Sequence, residues 1–287
     1  MSIALAGYDP RVTPARPDLA AKYLEGKVDP ARFVEGALCE IIAPQAPVRR
    51  APSHDASLET EALKGERVTV YEDNGEGWCW GQLGADGYVG WLPSAVLAAP
   101  GPAPTDKVAV LRTLAFPGPS IKLPPVEALS LGCTLAVAKR EGDFAITAAG
   151  LYLPARHLAP LGTVEKDFVA VAERFVGVPY LWGGKTSFGL DCSGLVQVAL
   201  TASGIGCPRD SDMQKNGLGS VVMPAGDYSN LQRGDLLFWP GHVAIARDAR
   251  TIIHANGFHM ATAIEPIAEA VERIAASGAK LETVKRL

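Results

Sequence analysis

The chain has 287 residues, 48% of them hydrophobic and 20% charged, which is enough for two or three globular domains with cores of their own. Its 27 Lys and Arg against 31 Asp and Glu leave a net charge of −4, which argues against a nucleic-acid partner, and no apolar run approaches the length of a membrane span. Five cysteines, Cys39, Cys79, Cys133, Cys192 and Cys207, form no CxxC pair and are odd in number, so reduced thiols are expected rather than a zinc site or a disulfide framework.

Residues 1 to 36 are rich in proline and charge. Their start, Met1 to Pro10, lacks the basic opening and apolar core of a secretion signal, so a cytoplasmic location is expected. Pro17 to Leu24 reads as a short helix that packs against one of the small barrels that follow. Residues 37 to 98 read as short strands between turns: Arg67 to Tyr71, Trp78 to Leu83 and Tyr88 to Leu92, with turns at Asp73 to Gly77 and Asp86-Gly87. That rhythm suits a small barrel. Gly77-Trp78 followed by Gly87-Tyr88-Val89-Gly90-Trp91 resembles a bacterial SH3-like domain. Ala98 to Pro104 is a proline-rich linker. Residues 105 to 160 repeat the rhythm more weakly at Leu135 to Ala138, Gly142 to Ile146 and Gly150 to Pro154, and read as a degenerate second barrel of the same kind.

The chemistry concentrates in residues 161 to 287. Val178 to Gly184 is an aromatic, glycine-rich approach, and Asp191-Cys192-Ser193-Gly194 opens a helix running to about Ser203, with Leu195, Val196, Ala199 and Ala202 at helical spacing and Gly204 as its stop. Asp191 suits an N-cap. A thiol in the first turn faces unpaired backbone N–H groups and the positive end of the helix dipole, which favour thiolate. Two candidate bases lie on short apolar strands joined by the turn Asp248-Ala249-Arg250, namely His242 in Gly241 to Ala246 and His254 in Thr251 to Asn256. The two imidazoles share a sheet face only if the connection has an odd length or carries a bulge. If they do, one can take the thiol proton while the other orients it. Asn256 and His259 are alternatives for the orienting place.

These residues carry a resemblance. Tyr180 to Gly184, Asp191 to Val196, Arg209-Asp210-Ser211-Asp212-Met213-Gln214, Leu231 to Phe238 and Gly241-His242-Val243 occur in the order found in the NlpC/P60 cysteine peptidases, which the chain therefore resembles. The resemblance implies an α+β papain-like catalytic domain preceded by two small all-β SH3-like barrels, with Cys192 as nucleophile, His242 as base and His254 as orienting residue. With two such barrels, the chain looks like the γ-D-glutamyl-L-diamino acid endopeptidases that cut peptidoglycan stem peptides carrying a free N-terminal L-Ala. In that setting Asp191 and Ser193, joined by Tyr88, would bind the substrate ammonium, and Arg209, Asp210 and Ser211 would line the cleft, with Trp182 beside it. Glu59 and Glu61 lie near a barrel loop and are further acidic candidates. Tyr180 would reach the thiolate or help hold the oxyanion, and Asp235 is read as structural. No metal or organic cofactor is called for. Two rival readings are a catalytically silent peptidoglycan-binding module and an amidase or acyltransferase acting on another amide.

Overall fold

The computed structural model describes residues 7–287, and the chain divides after Leu161 into two compact units. The reading of the chain's start rests partly on the first six residues, which lie outside the described residues.

In the first unit, seven antiparallel strands pair in the spatial order 58–63, 45–49, 89–93, 78–83, 67–73, 37–41 and 97–98. Ile41, Ala46, Val48, Ala62, Val68, Leu83, Tyr88 and Leu92 come from strands all along that order, or lie next to one, and meet in one core, so the sheet curls around it. A 3₁₀ turn, Ser94–Val96, precedes the last short strand. Residues 105–160 form a further set of short antiparallel strands, and Val108, Ala115, Leu129, Cys133, Leu135, Ala145, Leu153 and Leu158 pack into their common core. Here too a 3₁₀ turn, Ala155–His157, precedes the final strand, Leu158–Pro160.

The helix expected over residues 17–24 does not form. Ala20–Ala21 pairs as a short strand with Phe33–Val34, and only Lys22–Leu24 makes a 3₁₀ turn. The N–H groups of Ala20 and Ala21 donate to the carbonyls of Arg32 and Pro14, so they are spent on extended partners instead of a helical ladder. Eight residues are too few to be helical without tertiary support. The support here favours the extended form, because Leu19 is buried against Trp80 and Val89 and the Arg16 guanidinium lies 4.3 Å from the Trp80 ring centre. As expected, the segment packs on the sheet that follows it.

The second unit is α+β. Its antiparallel sheet has the order 220–222, 283–286, 236–239, 242–246, 251–256 and 261–266. The helices are α1 (Phe168–Glu173), α2 (Cys192–Ala202), α3 (Ser211–Gly217) and α4 (Ile267–Ala276). Helix α2 packs against strands 242–246 and 251–256, and α4 buries Ile267 and Ala270 against Ala244, Ala246 and Ile252. Among the described residues, no helix is long and apolar enough to cross a membrane.

Candidate active site

Helix α2 begins where the sequence places it, and Asp191 is its N-cap. Asp191 Oδ1 accepts the Gly194 N–H at 2.7 Å, the Ser193 hydroxyl at 3.2 Å and Arg209 Nη1 at 2.9 Å. Its Oδ2 accepts the Gly183 N–H and Arg209 Nη2, each at 2.8 Å. Arg209 also donates to the Ser193 hydroxyl and the Gly184 carbonyl, and Gln214 Nε2 donates to the carbonyls of Ser193 and Pro208. The charged side chains are therefore consumed in fixing the first turn of α2 and the loop before it. An N-cap of this kind contributes about 1 kcal/mol by itself, and the bidentate Arg–carboxylate geometry fixes direction as well as charge.

That arrangement departs from the sequence expectation for one residue. Arg209 was expected to line the cleft, yet it is only 1% exposed and directs its guanidinium at Asp191. Asp191 and Ser193, expected to receive an ammonium, flank Cys192 with the same slight exposure as the thiol residue and bond to one another and to Arg209. Asp210 and Ser211, at the start of α3, are half-buried. Trp182 is 67% exposed beside the turn at Gly183, whose φ of +76° suits glycine. In the first unit Tyr88 is 2% exposed and sits in the core of the curled sheet, where packing accounts for its ring; Glu61 is also buried.

The Cys192 thiol is nearly covered, with Sγ 4.0 Å from the Gly241 carbonyl oxygen and the backbone N–H of Val243 directed at it. These are the residues on either side of His242, so the thiol lies against the strand end that carries the imidazole. Burial pushes the thiol up to about 12, and the Asp191 carboxylate adds to the rise. The Val243 and Ser193 N–H groups and Arg209 oppose it without overcoming it. The direction is opposite to that expected from the helix N-terminus, because a dipole contribution of at most a few kcal/mol is outweighed by loss of solvent around the charged form.

The histidine register is settled by the hairpin. Ile245 pairs with Ile253 and Ala246 with Ile252, leaving five residues between the last pair, an odd number. Continuing this register puts Ala244 across from His254, so His242 and His254 lie diagonally on one face. His242 Nε2 and His254 Nδ1 are 2.8 Å apart. Burial, with His254 and Arg273 nearby, pushes His242 down to about 3, and burial also lowers His254. Asn256 Oδ1 accepts the His259 backbone N–H at 2.8 Å and lies 3.0 Å from its Nδ1, so the side chain that bonds His242 is that of His254. Tyr180 is half-buried, and its hydroxyl is raised by burial and then by the charges of Cys192 and Asp191, which places it within their electrostatic reach.

Sequence reasoning missed two residues. Glu265 Oε1 lies 2.6 Å from His254 Nε2 and also accepts from Arg273 Nη2 of α4. No local pattern marks Glu265; the register does, since strand Ala261–Pro266 pairs with Thr251–Asn256 so that Ala263 faces His254, which makes Glu265 its diagonal neighbour.

Residues 177–273 match the NlpC/P60 family, and residues 48–97 match the bacterial dipeptidyl-peptidase SH3 domain. A gamma-D-glutamyl-L-lysine dipeptidyl-peptidase of Bacillus subtilis is 31% identical over 200 residues, 64% of this chain and 65% of that protein, so the match spans just under two thirds of that relative. A protein of the same name from Bacillus cereus is 26% identical over 245 residues, 73% of this chain and 71% of that protein. The crystal structure of an NlpC/P60 family protein from Bacillus cereus shares the fold, with a TM-score of 0.72 at 22% identity, covering 87% of this chain and 99% of that one. The chain thus carries an NlpC/P60 domain at residues 177–273 behind a bacterial SH3 domain at residues 48–97.

Proposed function

We propose that the protein is a cysteine peptidase that hydrolyses the γ-D-Glu to diamino acid bond of peptidoglycan stem peptides with a free N-terminal L-Ala, in turnover or recycling of cell-wall fragments. The observation that carries this reading is the buried Cys192 thiol held against the strand end of His242, whose Nε2 is engaged by His254. The names of the two dipeptidyl-peptidase relatives supply the substrate class.

With Nε2 engaged, Nδ1 is the His242 nitrogen that takes the Cys192 proton. The thiolate attacks the γ-carbonyl, and the C–N bond breaks as His242 returns the proton to the departing amine. The resulting thioester is hydrolysed by water that gives its proton to the same imidazole. The Cys192 N–H at the helix start and the Tyr180 hydroxyl are suited to hold the oxyanion. Because His242 and the thiol rest neutral, charge develops only as attack proceeds, and the positions of Tyr180 and the helix start matter most then.

The substrate ammonium is received by Asp191 and Ser193, whose bonds to Arg209 hold the carboxylate and hydroxyl beside the thiol, with Asp210 and Ser211, half-buried at the start of α3, lining the cleft. A carboxylate facing an ammonium discriminates against an acylated amine, which lacks the charge and adds bulk. The repeated order of short strands, 3₁₀ turn and final strand supports residues 105–160 as a second SH3-like barrel. The reading is tested by supplying L-Ala-γ-D-Glu-diamino acid with a free or acetylated N-terminus. Cleavage of the free form alone is expected; equal cleavage of both would remove the amine-gated specificity.

A further inference from the structure

A line of hydrogen bonds crosses three adjacent strands: His242 Nε2 to His254 Nδ1 at 2.8 Å, and His254 Nε2 to Glu265 Oε1 at 2.6 Å. The residue directly opposite His254 on one side is Ala263, and continuing the hairpin register puts Ala244 opposite it on the other, so each step moves one strand over and two residues along. His254 is 1% exposed, so water does not compete for its nitrogens. Glu265 also accepts from Arg273, whose guanidinium stands 4.3 Å from the Phe258 ring centre.

We infer that Glu265 is a positioning residue that fixes the tautomers of both histidines and so leaves His242 Nδ1 bare toward the thiol. The inference rests on the proposed roles of Cys192 and His242. Its logic is donor and acceptor counting. An ionised carboxylate only accepts, so the proton of the short bond belongs to His254 Nε2. A neutral His254 then has a bare Nδ1, which can only accept, and the proton between the two rings belongs to His242 Nε2. A neutral His242 therefore has a lone pair on Nδ1. Without Glu265, His254 is free to carry its proton on Nδ1, which would force His242 to present Nδ1–H to Cys192 and remove the base. Arg273 and His254 hold the Glu265 carboxyl below its ordinary range despite burial, and burial keeps both imidazoles neutral. His259, whose charge also bears on His254, pairs with Asn256, and Cys192 and Tyr180 lie on the other side of His242.

The test uses the full chain labelled with 15N-histidine, with long-range 1H–15N spectra assigned through single His→Gln variants, alongside steady-state kinetics. In the wild type both His242 and His254 are expected as the Nε2–H tautomer. In Glu265→Leu, which removes the acceptor at similar size, His254 should lose that preference and kcat should fall at least about tenfold with KM within about twofold; a misplaced tautomer in serine triads costs about 10⁴, and Glu265 acts one ring further away. Glu265→Gln keeps a carbonyl acceptor and should keep the wild-type tautomers. An Nδ1–H signal from either histidine in the wild type, or unchanged tautomers and kcat in Glu265→Leu, would overturn the inference. Should Glu265→Leu fail to give a folded spectrum, the wild-type and Glu265→Gln tautomers decide the matter. Undiminished turnover by Cys192→Ala would instead sink the proposed reaction while leaving the tautomer result standing.

Discussion

Arg209→Leu separates a structural role for this arginine from a role in substrate binding. The guanidinium makes a bidentate pair with Asp191 at 2.9 and 2.8 Å and adds bonds to Ser193 and Gly184. Removing it leaves a buried carboxylate with only the Gly183 and Gly194 N–H groups and the Ser193 hydroxyl. Breaking a buried pair from one side costs about 3–5 kcal/mol, which for a unit of this size corresponds to a drop of roughly 10–20 °C in melting temperature. Replacing both partners, Asp191→Asn with Arg209→Leu, should recover part of that loss, since no uncompensated charge remains. Thermal and urea unfolding of the full chain, followed by fluorescence, read the effect, and steady-state kinetics are measured on the same samples. A variant with wild-type stability and a KM raised tenfold or more would refute the reasoning and return Arg209 to the substrate cleft.

Four other outcomes are expected. Because His242 is held down to about 3 and Cys192 up to about 12, the resting pair is neutral, and alkylation of Cys192 by iodoacetamide should climb about tenfold per pH unit from pH 6 to 9; a plateau beginning near pH 4–5 would show a thiolate–imidazolium pair. Gly194→Ala should destabilise the second unit by about 1–3 kcal/mol and impair turnover, since its Cβ would stand 2.3 Å from the Gly184 carbonyl oxygen and 3.0 Å from Asp191 Oδ1; urea unfolding at wild-type midpoints would contradict this. Leu19→Ala should cost about 2–5 kcal/mol in the first unit, which calorimetry reads, because Leu19 is wholly buried against Trp80 and Val89; an unchanged transition would mean that the N-terminal segment is not part of that core. His254→Leu should lower kcat by at least about 10²-fold, and near-normal rates would hand the orienting role to another residue.

The parts legible in the sequence are those written in short-range patterns. The helical spacing from Cys192 and the aspartate before it mark helix α2 and its cap, and the two apolar runs around Asp248 mark the histidine hairpin. Strands Arg67–Asp73, Trp78–Leu83 and Val89–Pro93 follow their turn signals closely. The failures share a different cause, in that each depends on what lies across space. Arg209 sits 18 residues from Asp191, and nothing local distinguishes an arginine that caps a loop from one that meets a ligand. Glu265 looks like a solvated residue at a strand end until the sheet register brings it to His254. The segment at residues 17–24 has helix-compatible composition, but its backbone donors find extended partners and Leu19 finds a pocket. The thiol direction was misjudged for the same reason: a helix N-terminus is visible in sequence, whereas the burial that outweighs it is not.

The most direct measurement of the central claim is mass spectrometry of L-Ala-γ-D-Glu-meso-diaminopimelate after incubation with the reduced full chain and with Cys192→Ala. The account requires release of L-Ala-D-Glu and free diaminopimelate by the wild type and none by the variant. Equal product from both, or an intact peptide after incubation with folded wild-type protein, would contradict it.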